Sequence, residues 1–257
     1  ENCRHDVYVD TDNNLWVAHT SGISKFYQQT SSFDNIFLYP AKKNRDVINK
    51  IVGEDKNGNV WTWIYGEGIV EFNKKGKILY KYGLEEINNE KCVTAKFDKN
   101  GNIYLALELS GIYKFDTKTK QFNHFLSPRL GGICITPENN FLISGNNHSI
   151  LYVNEQGKTI HTFTISDKDL SAIDKLVFVN CIVPLSSVLY YAGTTDGIFI
   201  INLKELTIKR FIFSKIPAEN IAIGDCLFKD RSGNLWAGTT ASGVRCFLMS
   251  SKKFELL

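Results

Sequence analysis

No apolar run in this 257-residue chain approaches the ~18–20 residues that span a bilayer, so no membrane segment is expected. A formal net charge of +3 is small, and the 30 lysines and arginines are scattered. That excludes a basic nucleic-acid face. The chain starts at Glu1 without a basic-then-apolar leader, which leaves a cytosolic protein or an already processed one as the expectation. The six cysteines (Cys3, Cys92, Cys134, Cys181, Cys226 and Cys246) include no Cys-x-x-Cys pair and no nearby histidine at metal-ligand spacing. They read as small buried hydrophobes, and no metal or other cofactor is expected. There is no G-x-S-x-G nucleophile turn, no H-E-x-x-H and no P-loop. The chain is therefore read as a binding protein and not an enzyme.

What the sequence does contain is a repeat. Asp55-Lys-Asn-Gly-Asn-Val-Trp61, Asp98-Lys-Asn-Gly-Asn-Ile-Tyr104 and Asp230-Arg-Ser-Gly-Asn-Leu-Trp236 read almost alike. Asp10-Thr-Asp-Asn-Asn-Leu-Trp16 is a fourth copy, and Thr136-Pro-Glu-Asn-Asn-Phe-Leu142 and Leu185-Ser-Ser-Val-Leu-Tyr-Tyr191 are weaker ones. The anchors at 16, 61, 104, 142, 191 and 236 are 38 to 49 residues apart, the period of a propeller blade. Each is followed by a small residue (Gly22, Gly68, Gly111, Ser149, Gly197, Gly243) and at once by an aliphatic one (Ile23, Ile69, Ile112, Ile150, Ile198, Val244). Agreement at these offsets in all six copies is not an accident of composition.

Turn chemistry gives the unit its shape. In Asp-x-x-Gly-Asn the aspartate bonds its own backbone, and Gly or Asn accepts positive φ, so the chain reverses between two strands. Val60-Trp-Thr-Trp-Ile64 and Gly68-Ile-Val-Glu-Phe72 carry β-forming residues, and Asn73-Lys-Lys-Gly76 turns into a fourth strand at 77–82. A four-stranded meander cannot cover both its faces alone, and radial stacking supplies the cover. The expected fold is all-β, a six-bladed β-propeller of four-stranded antiparallel blades in a single domain over 1–257. The blades are placed at about 3–40, 46–84, 90–127, 131–165, 175–213 and 220–257, each whole, with no blade split between the ends. The connection around 166–174 is expected to hold a short helical turn with Ser166 as N-cap.

The aspartate turns also look like the start of a calcium loop. Counted from Asp55, however, the glycine falls at the fourth position and the twelfth is Gly66, so the bidentate glutamate is missing and the turns read as hairpins. The recurrent Trp16, Trp61, Tyr104 and Trp236 read as blade packing. Trp63 departs from the repeat, because the other units have Ala18, Ala106, Ser144, Gly193 and Gly238 at its place. A ring there, beside Tyr65 and Glu67, is a candidate sugar platform; the competing reading is local repacking against the next blade.

In propellers the turns between second and third strands open on the same face as the links between blades. That face would carry His19, Tyr65, Glu67, Glu108, Asn146, Asn147, His148 and Asp196, with Arg45 and Arg129 from the links, and together with Trp63 these are the candidate ligand-binding residues. These turns vary where the Asp-Gly turns do not, the pattern of function grafted on a scaffold.

The stretch Asp-Arg-Ser-Gly-Asn-Leu-Trp-Ala-Gly-Thr-Thr-Ala-Ser-Gly-Val at 230–244, echoed by Tyr191-Ala-Gly-Thr-Thr-Asp-Gly-Ile198, resembles the two-component regulator propeller repeat. That repeat is typical of the sensor halves of hybrid two-component systems of gut Bacteroidetes. The resemblance covers essentially the whole chain, strongly in units two, three and six. It implies a periplasmic location, a small-molecule ligand that is often an oligosaccharide, and either a neighbouring propeller of the same receptor or a second copy as partner. A protein-interaction scaffold is the alternative. A lyase of the streptogramin-lyase type, using His19, His148 and Glu108, stands further behind.

Overall fold

The computed structural model describes residues 6–38, 49–127, 131–145, 148–166, 177–211, 223–239, 243–248 and 253–256. They form twenty-four strands in six four-stranded antiparallel sheets, each paired in chain order, which makes the fold a six-bladed β-propeller. Among the described residues no helix is long and apolar enough to cross a membrane. The helical turn expected around 166–174 lies outside the described residues apart from Ser166.

The chain divides into two compact units of three blades, Glu1–Ser127 and Pro128–Leu257. The first blade of unit 1 comprises β1 (Asp6–Val9), β2 (Leu15–His19), β3 (Gly22–Tyr27) and β4 (Ser32–Leu38). The second comprises β5 (Lys50–Glu54), β6 (Val60–Ile64), β7 (Gly68–Phe72) and β8 (Ile78–Tyr82). The third comprises β9 (Cys92–Phe97), β10 (Ile103–Leu107), β11 (Gly111–Asp116) and β12 (Gln121–Leu126). Unit 2 holds β13 (Ile133–Ile135), β14 (Phe141–Ser144), β15 (Ser149–Val153) and β16 (Thr159–Thr164) in its first blade. Its second is β17 (Val179–Pro184), β18 (Leu189–Thr194), β19 (Gly197–Asn202) and β20 (Thr207–Arg210). Its third is β21 (Ile223–Lys229), β22 (Leu235–Thr239), β23 (Val244–Leu248) and β24 (Lys253–Leu256).

The cores are the faces between successive blades. In unit 1, Trp16, Ala18 and Ile23 meet Ile51, Val70 and Phe72, and Trp61 and Ile69 of the second blade meet Cys92, Leu105 and Phe115 of the third. The second blade is covered on both sides, so every residue of β6 and β7 is buried. In unit 2, Leu142, Ile150 and Phe163 pack on Tyr190, Phe199 and Ile201, and Tyr191 and Ile198 pack on Leu227, Leu235 and Phe247.

Three of the aspartate turns are stitched in the same way. One oxygen of Asp10 accepts the Asn14 amide at 2.8 Å, while the other accepts the Trp16 indole N–H at 2.9 Å. Asp55 does the same for Asn59 and Trp61, and Asp230 for Asn234 and Trp236. The aspartate and the aromatic six residues on are therefore one device: the carboxylate closes the turn and satisfies the buried indole. Trp16, Trp61 and Tyr104 are buried as blade packing requires, and Trp236 is half-buried.

The glycines that open the third strands answer a different demand. Gly68 and Gly111 both have φ of +89°, and a Cβ would lie 2.4 Å from the Tyr82 carbonyl oxygen at the first and 2.3 Å from that of Leu126 at the second. Only glycine combines that backbone with so close an approach to the fourth strand.

Candidate functional site

In unit 1 the turns between second and third strands are tied into one continuous rim. The side chain of Asn49, 2% exposed, donates to the His19 carbonyl at 2.8 Å and accepts the Tyr65 amide at 3.1 Å, joining the first two turns. The link from β8 to β9 continues the rim. Gly66 N–H donates to the Asn88 carbonyl, and Glu108 N–H donates to the Lys91 carbonyl. Glu90 then clamps the third turn: its carboxylate accepts the amides of Leu109 and Ser110, both at 3.0 Å, together with the Ser110 hydroxyl.

Four of the candidate residues sit on this rim. His19 is half-buried and its ring is engaged. Ser21 N–H reaches Nδ1 at 3.3 Å, and Nε2 lies 2.8 Å from Ser24 Oγ. That hydroxyl gives its own hydrogen to Asn35 Oδ1 at 2.8 Å, so the imidazole carries its hydrogen on Nε2 and donates to Ser24. Tyr65 is half-buried beside it. Glu67 pairs with Lys81 at 2.8 Å, both partly exposed. Glu108 is exposed at the tip of its turn.

Trp63 does not belong to this surface. It is 0% exposed and packs with Ile87, Cys92, Leu105 and Leu107 between the second and third blades. Its indole N–H donates to the Glu90 carbonyl at 3.2 Å. The sugar-platform expectation is corrected for this residue: the ring fills the space beneath the β8–β9 link and has no open face. Its departure from the repeat has a structural reason, because the segment it supports carries Glu90.

In unit 2, His148 adopts φ of +60° in the β14–β15 turn, and its carbonyl accepts the Ile165 amide. Asp196 is 2% exposed in the β18–β19 turn and forms an ion pair with Arg210, whose guanidinium lies 5.2 Å from the centre of the Phe199 ring. The carboxylate is an internal counter-ion, not an open acceptor. Arg45, Arg129, Asn146 and Asn147 lie outside the described residues. Among the described residues no group of three or more His, Cys, Asp or Glu side chains could hold a metal ion. Cys92 is a buried free thiol, and burial pushes it up to about 12, which keeps it protonated.

The sequence reading missed Asn49, Glu90 and Leu109. Leu109 is 83% exposed, an aliphatic side chain held out at the tip of the third turn between Glu108 and Ser110. The signal was present, since the corresponding turn tips of units one and two are polar or glycine. Asn49 directly precedes β5 and carries no such mark. Neither does Glu90.

No family model matches the chain. No curated protein matches it. Solved structures do. The extracellular domain of a putative hybrid two-component system from B. thetaiotaomicron aligns over 98% of this chain with a TM-score of 0.74 and 19% identity. A second such domain from the same organism aligns over 93% with a TM-score of 0.70 and 16% identity. This chain covers 33% and 32% of those two chains, about a third of their length. A catalytically inactive virginiamycin B lyase from Staphylococcus aureus, solved with quinupristin, aligns over 98% of this chain and 82% of its own, with a TM-score of 0.74 and 16% identity. At these identities the likeness is one of fold.

Proposed function

We propose that this chain is a ligand-binding propeller from the extracytoplasmic, periplasmic sensor region of a hybrid two-component system, and that its ligand is an oligosaccharide or a similar uncharged metabolite. The observation that carries the reading is the rim of unit 1. Three successive turns are fastened by buried Asn49 and by Glu90, and they hold out side chains that the repeat does not specify. Preorganised contacts of this kind avoid the ordering cost that weakens binding by loose loops. The two similar extracellular domains support a sensory role.

The chemistry of the rim favours a hydroxyl-rich ligand. Glu67, Glu85, Glu86 and Glu108 on its turns and link are acceptors for hydroxyl hydrogens and repel anions. The Tyr65 ring and Leu109 offer apolar contact for the C–H face of a sugar ring. A lyase is the second reading, because lyases of this fold are among the similar structures. It is disfavoured by His19, whose two ring nitrogens are both engaged by neighbouring serines.

The test is calorimetry of the chain against a panel of neutral and acidic oligosaccharides, repeated with Glu108→Ala and Tyr65→Ala. Binding of a neutral glycan, weakened about 5- to 30-fold by either substitution, is the expected result, each lost contact counting ~1–2 kcal/mol. Heat from none of the panel, or binding indifferent to both substitutions, would remove the rim as the site. Turnover of a streptogramin B substrate that His148→Ala abolishes would establish the lyase instead.

A further inference from the structure

At the opposite end of the blades of unit 1, where the aspartate turns lie, an ammonium group rests in an aromatic cluster. The Trp61 and Tyr82 rings are close to parallel, with centres 5.9 Å apart and 11° between planes. Lys120 Nζ lies 5.0 Å from the centre of the first and 4.9 Å from that of the second. Tyr80, 61% exposed, stacks on Tyr82 at 6.0 Å. Glu71 lies beside them, 6% exposed, its carboxylate accepting from Asn59 Nδ2 at 2.9 Å and from the Tyr82 hydroxyl at 3.4 Å. Burial pushes this carboxyl above the usual carboxylate range, and the Lys120 charge is the strongest influence drawing it back.

Lys120 reaches the cluster from the next blade. It has φ of +61° in the β11–β12 turn. Ser31 before β4 and Leu206 before β20 hold the same place in their turns, with φ of +50° and +52°.

A contrast within the same unit shows what a purely structural lysine looks like. Lys25 also lies over a blade tryptophan, 4.7 Å from the centre of Trp16 and 4.9 Å from that of Tyr27. It is 0% exposed, however, and locked by Asp10 at 3.1 Å. Lys120 is exposed, and among the described residues no ion pair holds it.

We propose that Trp61, Tyr82 and Glu71 form a binding site for a small organic ammonium ion, and that Lys120 is its built-in occupant, displaced when such a ligand arrives. The rings supply their negative faces and Glu71 the counter-charge, the combination that recognises ammonium groups. Tyr80 forms the exposed wall through which a ligand would enter. The site is separate from the rim and does not depend on what the rim binds.

The experiment titrates the whole chain and its Lys120→Gly variant with choline chloride and with butylammonium chloride, against sodium chloride at equal ionic strength. The readout is the Trp61 indole N–H resonance, assigned by loss in Trp61→Phe; this hydrogen is donated to Asp55 and stays in place when Lys120 leaves. Saturable shifts are expected in Lys120→Gly, with affinity about tenfold above that of the intact chain and reduced again by Glu71→Gln. The Trp16 resonance should stay still in both proteins. Absence of a saturable shift in Lys120→Gly, or shifts matched by sodium chloride, would overturn the site. Equal affinity in the two proteins would overturn the role given to Lys120. Should Lys120→Gly lose its β-sheet circular dichroism, Lys120→Gln carries the same measurement.

Discussion

Substituting Asp10 by alanine should destabilise the protein more than the same change at Asp98, although both aspartates hold equivalent turns and both are 6% exposed. At Asp98 the carboxylate accepts two backbone amides and the Asn102 side chain. Removing it frees donors that water can partly reach, a loss of about 1–2 kcal/mol. Asp10 takes the corresponding bonds, adds the Trp16 indole, and faces the Lys25 ammonium at 3.1 Å with side-chain exposures of 0% and 5%. Alanine there strands a buried lysine, leaving it the Lys74 carbonyl and two ring faces. Breaking a buried pair in this way costs about 3–5 kcal/mol.

The measurement is urea unfolding at pH 7, followed by tryptophan fluorescence and circular dichroism together, for Asp10→Ala, Asp98→Ala and Asp10→Ala/Lys25→Met. The double variant should recover about 1–2 kcal/mol of the single loss, because replacing both charges leaves neither unpaired. Acid adds a second check. Burial raises the Asp10 carboxyl, but the bonds from Trp16, Asn14 and Lys25 outweigh it and hold the group below the ordinary 3.8. A carboxyl lowered in the folded state stabilises at pH above its unfolded value, and that contribution fades as pH falls through the folded one. The gap between the wild-type chain and Asp10→Ala should therefore narrow below about pH 4. Equal losses at Asp10 and Asp98 at pH 7, or a double variant weaker than Asp10→Ala, would refute the account of the buried pair.

Trp63→Ala should cost about 3–5 kcal/mol as a core truncation. Because the ring holds the Glu90 carbonyl, amide exchange at Leu109 and Ser110 should also accelerate; unchanged exchange at those two residues would separate Trp63 from the rim. Glu71→Gln should leave the chain as stable as the wild type or more so at pH 7. The raised carboxyl favours folding while protonated and loses that advantage as pH rises from its unfolded to its folded value, so the variant should gain relative to wild type across that interval, read by thermal unfolding from pH 4 to 8. Cys92 should resist iodoacetamide at pH 8 in the folded chain and react on unfolding, as mass spectrometry of its peptide would show.

The blades were legible because each is specified locally. A carboxylate that closes a turn and catches an indole six residues on needs no information from elsewhere in the chain, so Asp10, Asp55 and Asp230 leave the same trace in sequence as in space. The face was legible only as a set of turns. Trp63 was conspicuous for breaking the repeat, and the inference that a large ring among small ones is displayed failed for a definite reason. A second–third strand position faces either the next blade or the link above it, and periodicity of two does not distinguish them. Here the β8–β9 link folds down over the ring and Ile87 is buried with it.

Asp196 misled in a similar way. A carboxylate in a turn reads as exposed, yet its partner Arg210 stands fourteen residues on, across a strand pair that sequence spacing does not mark as a contact. Glu90, Asn49 and Lys120 were invisible for the complementary reason: each acts on a neighbouring blade, and no repeat offset records a bond between units. The repeat specifies the blade, whereas the rim and the ammonium cluster are specified by departures from it that gain meaning only beside the next blade. It follows that substitutions at repeat positions should chiefly change stability. Substitutions at Glu90, Leu109 and Lys120 should leave the blades intact and alter what the surface can hold.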